Sequence, residues 1–239
     1  GILAFLEKRS APLPTKYRFQ PNEKQQNSLI EKGDLLPIGS PFFPGFTPIP
    51  KYQYAAAAIK SDETGEVIHG DPIDAEKEII VSVETPKPNE VLVYMLTSEV
   101  NFNDIWAITG IPVSTFDEHD QDYHITGSGG SALVASVGSE IKREGRIKVG
   151  DLVTVFSGQS DLLSPVAGLD PMATASFLIQ GYQGPDGSHQ QFMIAQGPQI
   201  LSKPRDLTLE AAGSYILKLG TVYRALFTVL DIQRDRTIF

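Results

Sequence analysis

The 239-residue sequence contains no cysteine, one tryptophan and three methionines. Without cysteine there is no disulfide framework and no thiolate-bound zinc within the chain. No apolar run reaches about 18 residues, the length needed for a spanning helix. Positive charge is also scarce. Twenty Lys and Arg face 29 Asp and Glu, for a net charge of −9. That balance argues against nucleic acid or an anionic membrane as the main partner. The opening "GILAFLEKRSAPL" lacks the basic start and long apolar core of a signal peptide. Taken together, these absences lead us to expect a cytoplasmic, soluble protein. What is present is a globular composition, 41% hydrophobic, in a chain long enough for one or two domains.

Residues 1–50 stand apart, with 8 of the 17 prolines. "PIGSPFFPGFTPIP" excludes a regular helix or a central strand. We expect 15–50 to be an extended linker that docks on a surface, because Phe42, Phe43 and Phe46 are costly to leave in water. A free tether is the other reading. From residue 51 the pattern turns to short strands. "KEIIVSVET" alternates as a half-buried strand does, and "EVLVYMLTS" is dense enough for a central one. "SALVASVGSEI", "DLVTVFS", "QQFMIAQ" and "QILSKP" continue the series, which predicts a barrel or sandwich. "VGDLV" reads as a turn, with Gly150 and Asp151, before a strand. "LTLEAAGSYILKLGTVYRALFTVL" reads as helical, with Thr208 as cap and Glu210 in the first turn. Gly213 and Gly220 predict a break or a close contact there. The ending "DRTIF" reads as the start of a strand, and "GILAFLEKR" as a helix begun without a cap. Both predict a segment of a longer polypeptide.

The stretch "TSEVNFNDIWAITG" poses the functional question. Asn101, Asn103 and Asp104 sit where an apolar strand gives way to a helix. One asparagine there is explained as a cap; a cap does not explain both. "ITGSGGSALV" has no G-x-G-x-x-G and reads as a turn between strands. Of the four histidines, only "HDQDYH" brings two close in sequence, His119 and His124. We expect surface histidines there rather than a metal site.

"NFNDIW", "YHITGS", "QGYQ" and "TVYR" occur in this order. The set resembles the zinc-independent enoyl-thioester reductase branch of the medium-chain dehydrogenase/reductases, and within it the crotonyl-CoA carboxylase/reductases. The likeness covers about residues 75–230. The opening "AFLEKR" resembles the last helix of crotonase-fold hydratases; a generic amphipathic helix explains it as well. A hydratase end joined to a reductase start is the layout of the multifunctional propionyl-CoA synthases.

The resemblance implies a mainly β chain with some α. A crotonase-like tail (1–14) and the Pro-rich linker (15–50) would precede a GroES-like catalytic barrel (51–206). Helices (207–239) would lead into a Rossmann domain. It implies an enoyl-CoA substrate, NADPH as hydride donor with NADH as the alternative, and a homo-oligomer. The hydratase and Rossmann domains would lie on the same polypeptide, and no metal would be used. Zinc-dependent relatives carry "GHE" where Ser128 and Gly129 stand here.

Carried over by position, Asn101 and Asn103 face nicotinamide and substrate. Asn103 matches the asparagine that helps hold carbon dioxide in the carboxylating enzymes. Asp104 departs from their pattern, and a carboxylate there disfavours a second anion. Tyr182 matches an aromatic of the carbon-dioxide pocket, with a core tyrosine as the competing view. Gln183 replaces a glutamate, which weighs against carboxylation. Thr221 matches a threonine that hydrogen-bonds the nicotinamide region; Tyr223 reads as helix packing. The expected activity is reduction of a 2-enoyl-CoA, with acryloyl-CoA to propionyl-CoA foremost. The alternatives are a reductive carboxylase and a non-catalytic docking barrel.

Overall fold

The structure is a computed structural model that describes residues 18–166 and 170–232. The crotonase-like ending expected over 1–14 and the strand expected at "DRTIF" lie outside the described residues.

Two antiparallel sheets form the body. The first holds β1 (Arg18–Phe19), β2 (Tyr52–Ile59), β3 (Lys77–Ser82) and β5 (Tyr123–Ile125), in the order β1-β3-β2-β5. The second holds β4 (Glu90–Ser98), β6 (Gly129–Val137), β7 (Leu152–Phe156), β10 (Phe192–Gln196) and β11 (Ile200–Ser202), in the order β10-β4-β6-β7-β11. β8 (Gly158–Gln159) and β9 (Leu178–Ile179) pair with each other apart from both sheets, and a bridge from Ala55 to Gln190 joins β2 to the segment entering β10. β4 is covered on both faces. Val91 and Val93 enter a core with Val134, Val155, Met193 and Ile141. Leu92 and Tyr94 enter another with Phe42 and Phe192. Double burial is why "EVLVYML" shows no polar alternation.

The amino-terminal segment is less extended than its prolines predict. Residues Glu23–Glu31 form helix α1, closed by a capping box between Asn22 and Gln25. "NEKQ" carries that signal, one acceptor and one amide three residues apart. Phe42 docks as expected, 4% exposed and 5.0 Å from the Tyr94 ring. Phe43 and Phe46 do not dock, at 60% and 91% exposure. The backbone turns at 43–47, where Phe46 and Thr47 donate to the Phe43 carbonyl, and the turn directs only one ring inward.

The expected strand over "SALVASVGSEI" ends at Val137. Residues Ser139–Glu144 form a short helix, with Ile141 still buried in the core. The helical ending follows expectation more closely. Thr208 accepts the Ala211 N–H at the start of Leu209–Ser214, and the chain breaks at Tyr215 before Ile216–Tyr223. Gly213 is needed for packing: a Cβ there would lie 2.1 Å from Thr97 Oγ1 on β4. Among the described residues no helix is long and apolar enough to cross a membrane.

Candidate active site at the asparagine turn

Residues Phe102–Thr109 form the helix that follows β4. Asn101 is its cap, its Oδ1 accepting the Asn103 N–H at 2.8 Å. Asp104 completes the capping box, with Oδ2 accepting the Asn101 N–H at 2.7 Å. Its other oxygen, Oδ1, accepts the Gly127 N–H at 2.9 Å. Asp104 is buried, and burial pushes its carboxyl above the usual carboxylate range against the pull of those two amides. With both oxygens engaged by main-chain donors, this carboxylate holds the helix start to the 126–128 turn.

Asn103 has no capping duty. Its amide Nδ2 donates to Ser128 Oγ at a long 3.3 Å, and the residue is half-buried. Tyr182 stands on the same wall, its ring 5.9 Å from that of Trp106. The turn that carries it packs closely on 126–128. A Cβ at Gly181, which has φ +83°, would lie 2.0 Å from the Gly127 carbonyl oxygen. The structure therefore gathers Asn101, Asn103, Asp104 and Tyr182 around one short turn. Gln183 is exposed, and its Oε1 accepts the Ile179 N–H in its own loop. Thr221 is exposed on Ile216–Tyr223, its hydroxyl donating to the Leu217 carbonyl at 2.8 Å. Neither shares a hydrogen bond with the asparagine turn. Arg224 pairs with Asp170 at 2.7 Å, and that hydrogen bond holds the Asp170 carboxyl low.

Several neighbours went unread in the sequence. Ser188 Oγ accepts the Gly129 N–H at 3.0 Å and meets Ser98 Oγ at 2.7 Å. His189 Nε2 faces the Glu99 carbonyl at 3.2 Å, so that nitrogen carries a proton. Thr126 Oγ1 lies 2.8 Å from His189 Nδ1 and 2.9 Å from Glu76 Oε1. These contacts span 50 to 90 positions, a range at which the sequence offers no periodic signal.

The expectation of surface histidines is corrected. His124 lies on β5, which is buried along its length, and stacks on His119 with Nε2 of His119 2.9 Å from Nδ1 of His124. Burial lowers the His124 pKa to about 4, and burial is also the main cause of the lowered His119 value. The unfolded imidazole protonates near 6.5. Stability linked to His124 is therefore full above that pH and is lost as pH falls from about 6.5 toward 4, a drop worth about 3 kcal/mol. His124→Gln should flatten this part of the stability profile, measured as urea midpoints across the window. Among the described residues no group of three or more His, Asp or Glu is placed to hold a metal ion.

A cavity of about 790 Å³ is lined by Tyr54, Ala56, Glu78, Tyr94, His189 and Gln191 among others. Asn103, Ser128 and Tyr182 do not line it. The Asn103 amide and the exposed aromatic surface coincide instead at the asparagine turn. That turn is an open wall: Val100 and Phe102 are exposed by 74% and 69%, and Ile105 and Trp106 by about 40% each. Such a concentration of exposed apolar surface marks a face that receives a ligand or another protein surface.

No family model matches the chain. It is 41% identical over 203 residues to the crotonyl-CoA carboxylase/reductase of Cereibacter sphaeroides, a match covering 84% of this chain and 43% of the relative. A solved crotonyl-CoA carboxylase/reductase superposes with a TM-score of 0.73 at 38% identity, covering 82% of this chain and 43% of that one. A 2-octenoyl-CoA carboxylase reductase solved with NADP and 2-octenoyl-CoA superposes with a TM-score of 0.67 at 27% identity, covering 76% and 43%. The chain thus spans less than half the length of the relatives it matches. Its homologues are the crotonyl-CoA carboxylase/reductases, and it shares with them the medium-chain dehydrogenase/reductase fold.

Proposed function

We propose that this chain is the substrate-side wall of an NADPH-dependent 2-enoyl-CoA reductase, with the two-sheet body as its GroES-like catalytic half. One observation carries the reading. Asn103 keeps a half-buried amide outside the helix cap, beside Ser128 and an exposed aromatic wall. NADPH, when bound, supplies the hydride that adds to the β-carbon of the enoyl thioester. Negative charge then collects on the thioester oxygen, and a proton must reach the α-carbon. The Asn103 Nδ2 donor suits that oxygen, because a preset amide stabilises charge that develops during reaction. Trp106, Phe102 and Val100 suit a planar ring and an acyl chain and help to exclude water. The sequence holds no glycine-rich strand–turn–helix fingerprint for the pyrophosphate. The rest of the nucleotide site is therefore assigned to further residues, in keeping with a relative of which the match covers 43%.

The finer reading is acryloyl-CoA reduction within a propionyl-CoA synthase, supported by the hydratase-like opening and the order of the reductase motifs. A second reading, reductive carboxylation, is favoured by the names of the relatives. It also gains from the placement of Asp104. The sequence expectation was that this carboxylate repels a nascent carboxyl group, yet both its oxygens are turned to backbone N–H groups. The test uses the longer polypeptide that carries this chain, with NADPH, acryloyl-CoA or crotonyl-CoA, and bicarbonate added or omitted. The saturated acyl-CoA should form at the same rate under both conditions. A carboxylated product would establish the second reading. No NADPH consumption with any enoyl-CoA would leave the barrel as a docking module.

A further inference from the structure

We infer that Glu99 is a positioning residue that ties the asparagine turn to the helix Ile216–Tyr223, so that this helix sets where the Asn103 amide points. The inference rests on the reductase reading for its effect on rate, but its structural content stands apart. The Glu99 side chain is only 2% exposed. A carboxylate so placed requires partners for its charge and its lone pairs. Its Oε2 lies 2.9 Å from the Lys218 ammonium, and its Oε1 accepts from Asn101 Nδ2 at 3.4 Å. Its backbone carbonyl accepts from His189. Asn101 in turn caps the Asn103 N–H. A continuous path therefore runs from Lys218 through Glu99 and Asn101 to Asn103.

The two halves of the broken terminal helix are held differently. Leu209–Ser214 is sewn to the second sheet by buried Ala212 and by Gly213 against Thr97. Ile216–Tyr223 buries only Ile216, and Leu219, Val222 and Tyr223 are more than half exposed. The Lys218–Glu99 pair is its polar link to the asparagine turn. Lys218 is itself 61% exposed, so the pair joins a solvated cation to a dry anion. Neutralising the lysine leaves a buried carboxylate beside Asn101 with its charge uncompensated. Displacement of the turn is the cheapest relief.

Trp106, the one tryptophan of this chain, reports on the turn directly. The experiment compares Lys218→Met, Glu99→Gln, the double variant and Lys218→Arg in the 239-residue chain. It records Trp106 emission and urea midpoints, then kcat and KM in the longer polypeptide. Both neutral single variants should shift Trp106 emission while remaining folded, and the double variant should shift it no further. Lys218→Arg should restore the wild-type spectrum. In the polypeptide, kcat should fall about tenfold with KM for the enoyl-CoA held within about twofold, as expected for misplacement of a reacting group. Unmoved emission in folded Lys218→Met and Glu99→Gln would overturn the inference whatever the activity. A shift in emission with an inactive wild-type polypeptide would overturn the reductase reading and leave the coupling in place.

Discussion

Asp104→Ala is expected to destabilise the chain by about 3–5 kcal/mol. The change orphans one buried and one part-buried N–H donor, and each costs about 1–3 kcal/mol when left unpaired. Loss of the Asn101 partner is also what opens the capping box. The donors belong to Asn101 and Gly127, so the loss falls on the helix start and on the 126–128 turn together. Asp104→Asn should be milder but not neutral, because one amide oxygen cannot serve both donors and its NH₂ meets the other. The pH dependence separates charge from hydrogen bonding. Burial holds the folded-state carboxyl of Asp104 above its ordinary value. Stability linked to this group is therefore full below the unfolded carboxylate pKa and is lost as pH rises through the folded value. The Asn variant lacks that slope. The gap between it and wild type should be widest in acid and narrow as pH rises, read from urea midpoints. An unchanged midpoint for Asp104→Ala would show that the two amides find other acceptors.

Asn103→Ala should do the opposite: remove rate and leave stability nearly intact. Its one side-chain hydrogen bond is the 3.3 Å contact to Ser128, and the residue is half-buried, so a change below about 1 kcal/mol is expected. If its amide meets the developing oxyanion, kcat should fall about 10²–10³-fold, the usual effect of losing one such donor. Asn101→Ala is the matched control. It removes the cap acceptor and should cost about 1 kcal/mol, with a smaller and indirect effect on rate. Steady-state NADPH oxidation in the longer polypeptide, beside urea unfolding of each variant, measures both quantities. A loss of less than tenfold for Asn103→Ala would remove this amide from the chemistry.

The strand plan was largely legible. "EVLVYMLTS" is β4 from Glu90 to Ser98, and Thr208 caps the terminal helix as its sequence indicates. The asparagine turn could be narrowed from sequence to one cap and one uncommitted residue, since a single cap cannot account for both asparagines. Which residue took which part was not legible. The division depends on Asn101 adopting extended backbone while Asn103 enters the helix. The helix at Glu23–Glu31 was missed because proline density dominated the reading of that segment, although its capping box is plainly written.

Local order in this protein follows from interactions a few residues long: apolar periodicity, cap hydroxyls, and glycines at turns. The sequence alone determined those, together with the absence of thiolate chemistry and the motif order that pointed to enoyl-thioester reduction. The tertiary structure decided which polar groups meet. Asn103 reaches Ser128 across 25 positions, Glu99 reaches Lys218 across 119, and His124 is buried because β5 pairs with β2. Such pairings arise only when distant strands and helices close on one another. Their partners are chosen by the geometry of that closure, which no short window of residues encodes.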